Sequence, residues 1–153
     1  MSGAGAAVHG GRFNPQGIEA LYLSLTIMTA IREATQSLAF KIEPYVLCSY
    51  EVDCDDIADL RTTSTRKALN VDHADMACAW FTDAAAGAEP RSWRISRGLI
   101  AEGHAGILVP SFAPGAIDED HNLVLWRWGP RRPHKVSAFD PSGRLPKNQL
   151  SWD

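Results

Sequence analysis

At 153 residues with a formal charge of −3, the chain is long enough for one domain with a real core and short for two. Its 45 % hydrophobic and 22 % charged residues are ordinary for a globular protein, and no apolar run approaches the roughly 20 residues a membrane span requires. The opening MSGAGAAVHGG lacks the basic-then-apolar layout of a signal peptide, which predicts a cytoplasmic location. Basic residues are scattered, densest at Arg127, Arg131, Arg132, His134 and Lys135, and do not make the basic face of a nucleic-acid binder.

In chain order, EALYLSL (19–25) is apolar and β-prone and reads as a first strand. TIMTAIREATQSL (26–38) then switches to helical spacing, with Ile27, Ala30, Ile31, Ala34 and Leu38 on one face and Thr26 as N-cap. Glu43-Pro44 stops that helix, and YVLCSYEV (45–52) reads as a second strand. DCDDIADL reads as a turn with room for one helical turn, and the stretch from Asp72 to Ala85 reads as helical. In EPRSWRISRGLIAEGHAG a helix starts near Pro90 and ends at Gly103. Three strands follow: GILVPS (106–111), NLVLWRW (122–128) and KVSAFD (135–140), the last two expected to pair antiparallel across a Gly-Pro turn. No repeat or linker divides the chain. This order predicts a single α+β domain over 1–153, with a mixed, mostly antiparallel sheet flanked by helices.

Cys48, Cys54 and Cys78 show no C-x-x-C, and the five histidines are dispersed, so the paired spacings of a closed zinc site are lacking. The expectation is reduced, structural cysteines and no metal.

Five residues stand out as candidates for chemistry. Arg12 follows Gly10-Gly11 and precedes Phe13-Asn14-Pro15; a guanidinium there could grip a carboxylate or phosphate, or be a surface arginine beside a glycine turn. Tyr22 alternates with Leu21 and Leu23, so the pleat sends it to the other face with Ala20 and Ser24, either lining a cleft or half-buried in the core. Glu33 borders the apolar stripe of its helix, while Arg32 points away from that stripe. The neighbours of Glu33 at three and four residues, Thr29, Ala30, Gln36 and Ser37, include no cation. It is a site acid or a solvated rim residue. Ser111 follows a buried strand at a turn, and without a G-x-S-x-G around it a hydrolase nucleophile is disfavoured. Asn122 could donate to a ligand or end a loop. Trp126 and Trp128 are expected to share a strand face in the core.

The ordered series GGRFNPQG, ALYLS, TAIREA, VPS, NLVLW and DPSGRLP resembles the RES-domain toxins of bacterial toxin–antitoxin modules over nearly the whole chain, and is similar to the ParT type, whose antitoxin is ParS. Members usually have residues ahead of SGAGA, often with another arginine. The resemblance implies a fold related to the ADP-ribosyltransferase and diphtheria-toxin core, with NAD⁺ as substrate. It implies Arg12, Tyr22 and Glu33 as the catalytic set, with Ser111 as the serine of VPS; Asn122 joins Arg12, Tyr22 and Ser111 as a candidate for holding NAD⁺. Members either transfer ADP-ribose to a protein, for the ParT type ribose-phosphate pyrophosphokinase, or break NAD⁺ down as glycohydrolases or phosphorylases. A cognate ParS/Xre-type antitoxin is the implied partner. A reading from another class is a non-catalytic module that only engages such a partner.

Overall fold

The chain runs α1 (Ala4–His9), β1 (Leu21–Ser24), α2 (Ile27–Thr35), β2 (Ser49–Cys54), β3 (Ile57–Asp59), α3 (Thr63–Ala68), α4 (His73–Met76), α5 (Trp80–Ala85), α6 (Arg91–Ala101), β4 (Gly106–Pro110), β5 (His121–Leu125) and β6 (His134–Phe139). These elements are those of a computed structural model, which describes residues 2–35, 46–143 and 145. The expected end of the second helix at Leu38 and its stop at Glu43-Pro44 lie outside the described residues.

Four strands form one sheet in the order β1-β5-β4-β3, in which β1 and β4 flank β5 antiparallel and β3 joins β4 in parallel. A second, two-stranded antiparallel sheet pairs β2 with β6. The α+β expectation with a mixed, mostly antiparallel sheet therefore holds.

Strand alternation sorts the side chains into two cores. Ala58, Ile107 and Val124, neighbours across the sheet, pack with Leu60, Met76 and Leu99 on the face covered by α4 and α6. Leu123 and Leu125, with Leu21 and Leu23 packed against them, turn the other way and meet Val136 and Tyr50 of the two-stranded sheet. Fully burying each of the large aliphatics is worth about 1.5–3 kcal/mol, so the sheet is fixed from both sides.

Several expectations are corrected. KVSAFD does not form a hairpin with NLVLWRW. Both edges of β5 are occupied by β1 and β4, so β6 pairs instead with β2, from Ser49↔Phe139 to Cys54↔His134. The second strand begins at Ser49, after residues 46–48, and its expected start at Tyr45 lies outside the described residues. β3 occupies what reads locally as a turn, because its three residues are stabilised by parallel pairing to a strand almost fifty residues later. Trp126 and Trp128 do not share a core: Trp126 is buried with the helical-side cluster, whereas Trp128 packs partly buried against the other. The alanine-rich start, for which no element was predicted, forms α1, with Ala6 packed against the core. The predicted 72–85 helix is interrupted by Ala77-Cys78-Ala79, separating α4 from α5.

Candidate functional site

The glycine pair builds a tight turn whose purpose is internal. The Gly11 N–H donates to the Asn14 carbonyl at 2.9 Å, and the Gly11 carbonyl accepts from Trp93 Nε1 at 2.7 Å. A Cβ on Gly11 would stand 2.5 Å from the Tyr22 hydroxyl and 2.6 Å from Asn14 Oδ1, which no side chain tolerates. The close approach that a Gly-Gly pair permits is thus taken up by the protein's own tyrosine.

Asn14, fully buried, is the hub of that turn. Its Nδ2 donates to the carbonyls of Ala6 (2.8 Å) and Ile18 (2.9 Å), and its Oδ1 accepts the Tyr22 hydroxyl proton at 2.7 Å. The same hydroxyl oxygen accepts from the Phe13 N–H at 3.0 Å. Tyr22, 39 % exposed as a residue, is consequently held by its tip and lies in the wall of a cleft. Burial of the hydroxyl pushes its pKa above the ordinary value of 10, opposed by the Phe13 N–H and the Arg12 charge.

Arg12 projects from the same turn into the break between α4 and α5. Interrupting a helix leaves carbonyls without intrahelical partners, and Arg12 Nη1 donates to two of them, Cys78 at 2.8 Å and Met76 at 3.2 Å. Its guanidinium lies 4.9 Å over the Phe112 ring. Burial pulls its pKa below the usual arginine value, against the electrostatic pull of Cys78, Glu33 and Tyr22. Among the described residues Nη2 and Nε have no hydrogen-bond partner, so half of the fork remains for a ligand.

Glu33 is brought to this region by α2. Thr26 caps that helix, its hydroxyl accepting the Thr29 N–H at 3.1 Å, as the sequence suggested. Glu33 Oε1 accepts from Ser111 Oγ at 2.6 Å and from Asn122 Nδ2 at 2.5 Å. The Asn122 amide is oriented in turn by Ser24, whose hydroxyl donates to Asn122 Oδ1 at 2.7 Å across the β1–β5 pair. Ser111 Oγ also accepts from the Ala113 N–H at 3.2 Å. Three distant segments thus meet at one carboxylate oxygen, and Arg12 reaches the same cluster through Phe112, the neighbour of Ser111.

The cleft beside this cluster has a volume of about 940 Å³. Tyr22, Ser24, Glu33 and Asn122 supply its polar wall and Leu25, Ile27, Ile31, Val46 and Leu47 much of its apolar one. Arg12 and Ser111 are outside that lining. A smaller cavity of about 310 Å³, between Glu19, Trp128, Arg131 and His134, contains none of the predicted site residues. Among the described residues no three His, Cys, Asp or Glu side chains converge as a metal site.

All five predicted residues therefore belong to one constellation, with two adjustments. Arg12 is also a structural cap of a broken helix, and the apolar stripe Ile27, Ala30, Ile31, Ala34 faces the cleft rather than the core. Arg32, expected to point away from that stripe, does so and reaches Asp120. Asn14, Ser24, Phe112 and Asp120 were not among the predicted site residues. Asn14 sits inside the GGRFN motif and Phe112 directly after VPS, whereas nothing local separates Asp120 from Asp118 and Glu119.

No curated protein matches the chain. The family model of the RES domain matches residues 1–148, nearly the full length over which this constellation is assembled, and the chain therefore belongs to the RES domain family, which is associated with NAD-acting toxins of toxin–antitoxin modules.

Proposed function

We propose that the chain is the toxin of a ParT-type module and a mono-ADP-ribosyltransferase, cleaving NAD⁺ between the ribose C1′ and the nicotinamide nitrogen and passing ADP-ribose to a protein. The observation that carries the reading is the Glu33 carboxylate, oriented by Ser111 and Asn122 beside a cleft of about 940 Å³. That volume is at the upper end of the range for small-molecule sites, as a dinucleotide requires.

When the C1′–N bond breaks, nicotinamide leaves as a neutral ring carrying the electron pair, and positive charge develops on the ribose. No acid is needed to protonate the leaving group, so one carboxylate suffices where a glycosidase uses two. A carboxylate about 4 Å from that charge, at an effective dielectric of about 20, is worth about 4 kcal/mol, or about a thousandfold in rate. The Tyr22 ring, with its hydroxyl tied inward, stacks on the nicotinamide and holds the bond in a reactive pose. Arg12 turns its remaining N–H groups to the diphosphate.

Transfer is favoured over hydrolysis or phosphorolysis by the exposed aliphatic rim of the cleft, where Leu25, Ile27, Ile31 and Leu47 are each about half exposed; such a rim suits a protein acceptor better than water. By resemblance the acceptor is ribose-phosphate pyrophosphokinase, and the restraining partner is a ParS/Xre-type antitoxin that covers the cleft. Purified chain with labelled NAD⁺, with and without cell lysate, tests this. Label on a discrete protein is expected. Free ADP-ribose or ADP-ribose phosphate alone would replace transfer with a glycohydrolase or phosphorylase, and intact NAD⁺ would leave only the binding module.

A further inference from the structure

Among the described residues, Asp120 is the only charged side chain in the buried set, at 3 % exposure. Its Oδ1 accepts from Thr29 Oγ1 at 2.6 Å, and its Oδ2 accepts from Arg32 Nη1 at 2.5 Å and from the Ile117 N–H at 2.9 Å. Its own backbone carbonyl accepts from the Ser111 N–H at 2.7 Å. A carboxylate with this many donors is an organising centre, and the segments it organises are those that meet at Glu33.

Thr29 and Arg32 lie three apart on α2 and so share a helix face, and Arg32 directly precedes Glu33. Ser111 supplies one donor to Glu33, and Asn122, two residues beyond Asp120, supplies the other. Aliphatic contacts are non-directional and tolerate small rotations, whereas charge-assisted hydrogen bonds fix direction and length. With its apolar stripe turned to the cleft and Thr29 its buried residue, α2 is located by the second kind of contact.

We infer that Asp120 is a positioning residue: by holding Thr29 and Arg32 from the β4–β5 loop that starts at Ser111 and leads into Asn122 on β5, it sets the rotation of α2 that brings the Glu33 carboxylate onto its two donors. Its kinetic consequence rests on the proposed NAD⁺ cleavage; its structural consequence does not.

Nicotinamide release by the unaltered chain is measured first, because absence of turnover would refute the proposed function and leave the structural readout to decide the role of Asp120. Given turnover, Asp120→Asn is expected to lower kcat roughly tenfold to a hundredfold while KM for NAD⁺ stays within about threefold. Unchanged kcat, or a loss carried by KM alone, overturns the inference. The readout independent of turnover is the Asn122 side-chain amide resonance, with Glu33→Gln marking its position once the carboxylate is gone. In folded Asp120→Asn it is expected to shift toward that position; if it stays where it is in the unaltered chain, the inference fails. Should Asp120→Asn not fold, Arg32→Gln removes the charge at a side chain that is 29 % exposed and is read by the same amide shift, with the same two outcomes.

Discussion

Helices α2 and α6 carry similar helical spacing and are used in opposite senses. α6 turns Leu99, Ile95 and Ile100 to the core and Arg94 and Arg97 outward, where both pair with Glu89. α2 turns Thr29 and Arg32 inward to Asp120 and leaves Ile27 (59 %) and Ile31 (48 %) exposed along the cleft. The contrast teaches that an amphipathic pattern identifies two faces without saying which one meets the protein. A core helix is held by apolar area. α2, which carries Glu33 to the cleft, is held by directional polar contacts, and its apolar face lines the cleft.

The sharpest break of this comparison is at Glu33. Glu33→Gln keeps the shape and removes the charge, and nicotinamide release should fall about a thousandfold with the circular dichroism spectrum unchanged. Activity within a few-fold of the unaltered chain would return Glu33 to a structural role. Next comes a matched pair in the two helices. Leu99→Ala in α6 should lose about 2–5 kcal/mol in urea unfolding, whereas Ile31→Ala in α2 should lose within about 0.5 kcal/mol and act on NAD⁺ or partner binding instead. Equal losses would mean that α2 is a core helix after all.

A smaller effect is expected at Tyr22. Tyr22→Phe keeps the ring but leaves the buried Asn14 Oδ1 and the Phe13 N–H without their partner, which should cost about 1–3 kcal/mol of stability. The loss of activity should be smaller than that of Tyr22→Ala. The least effect is in the pH profile. The Thr29 hydroxyl first, then the Ile117 N–H and the Arg32 charge, hold Asp120 below the ordinary carboxylate value of 3.8, and hydrogen bonds from Arg61 do the same for Asp59. Both groups are more acidic folded than unfolded, so their contribution is present above pH 3.8 and is lost as the pH falls through their lower folded values. Tyr22 runs the other way: with its folded pKa raised, its contribution is present below pH 10 and is lost as the pH climbs through the folded value. Melting temperatures across the acid and alkaline limbs check both signs, and Tyr22→Phe should flatten the alkaline one.

Much of the site was legible in local sequence because its residue types are unusual where they stand. An arginine after two glycines, a tyrosine out of phase with two leucines and a helical glutamate with no cation three or four residues away all converge in the structure. The hub Asn14 and the latch Asp120 were not legible. An asparagine before proline or one acid among three looks like turn chemistry; Asn14 acts on groups within eight residues, whereas Asp120 acts on residues up to 91 positions away. Strand partners were hidden for the same reason. β6 follows β5 within ten residues of chain, yet pairs with β2 because β5 has no open edge.

Alternation and helical spacing, which are local, determined on their own the α+β class, most helix and strand positions and the cap at Thr26. Tertiary structure decided which face of α2 is buried, that Arg12 closes a broken helix, and that Ser111 and Asn122 aim at a single oxygen of Glu33. Those outcomes depend on long-range pairing: a side chain's environment is set by whatever the sheet brings against it, and a carboxylate's role by the donors it meets there.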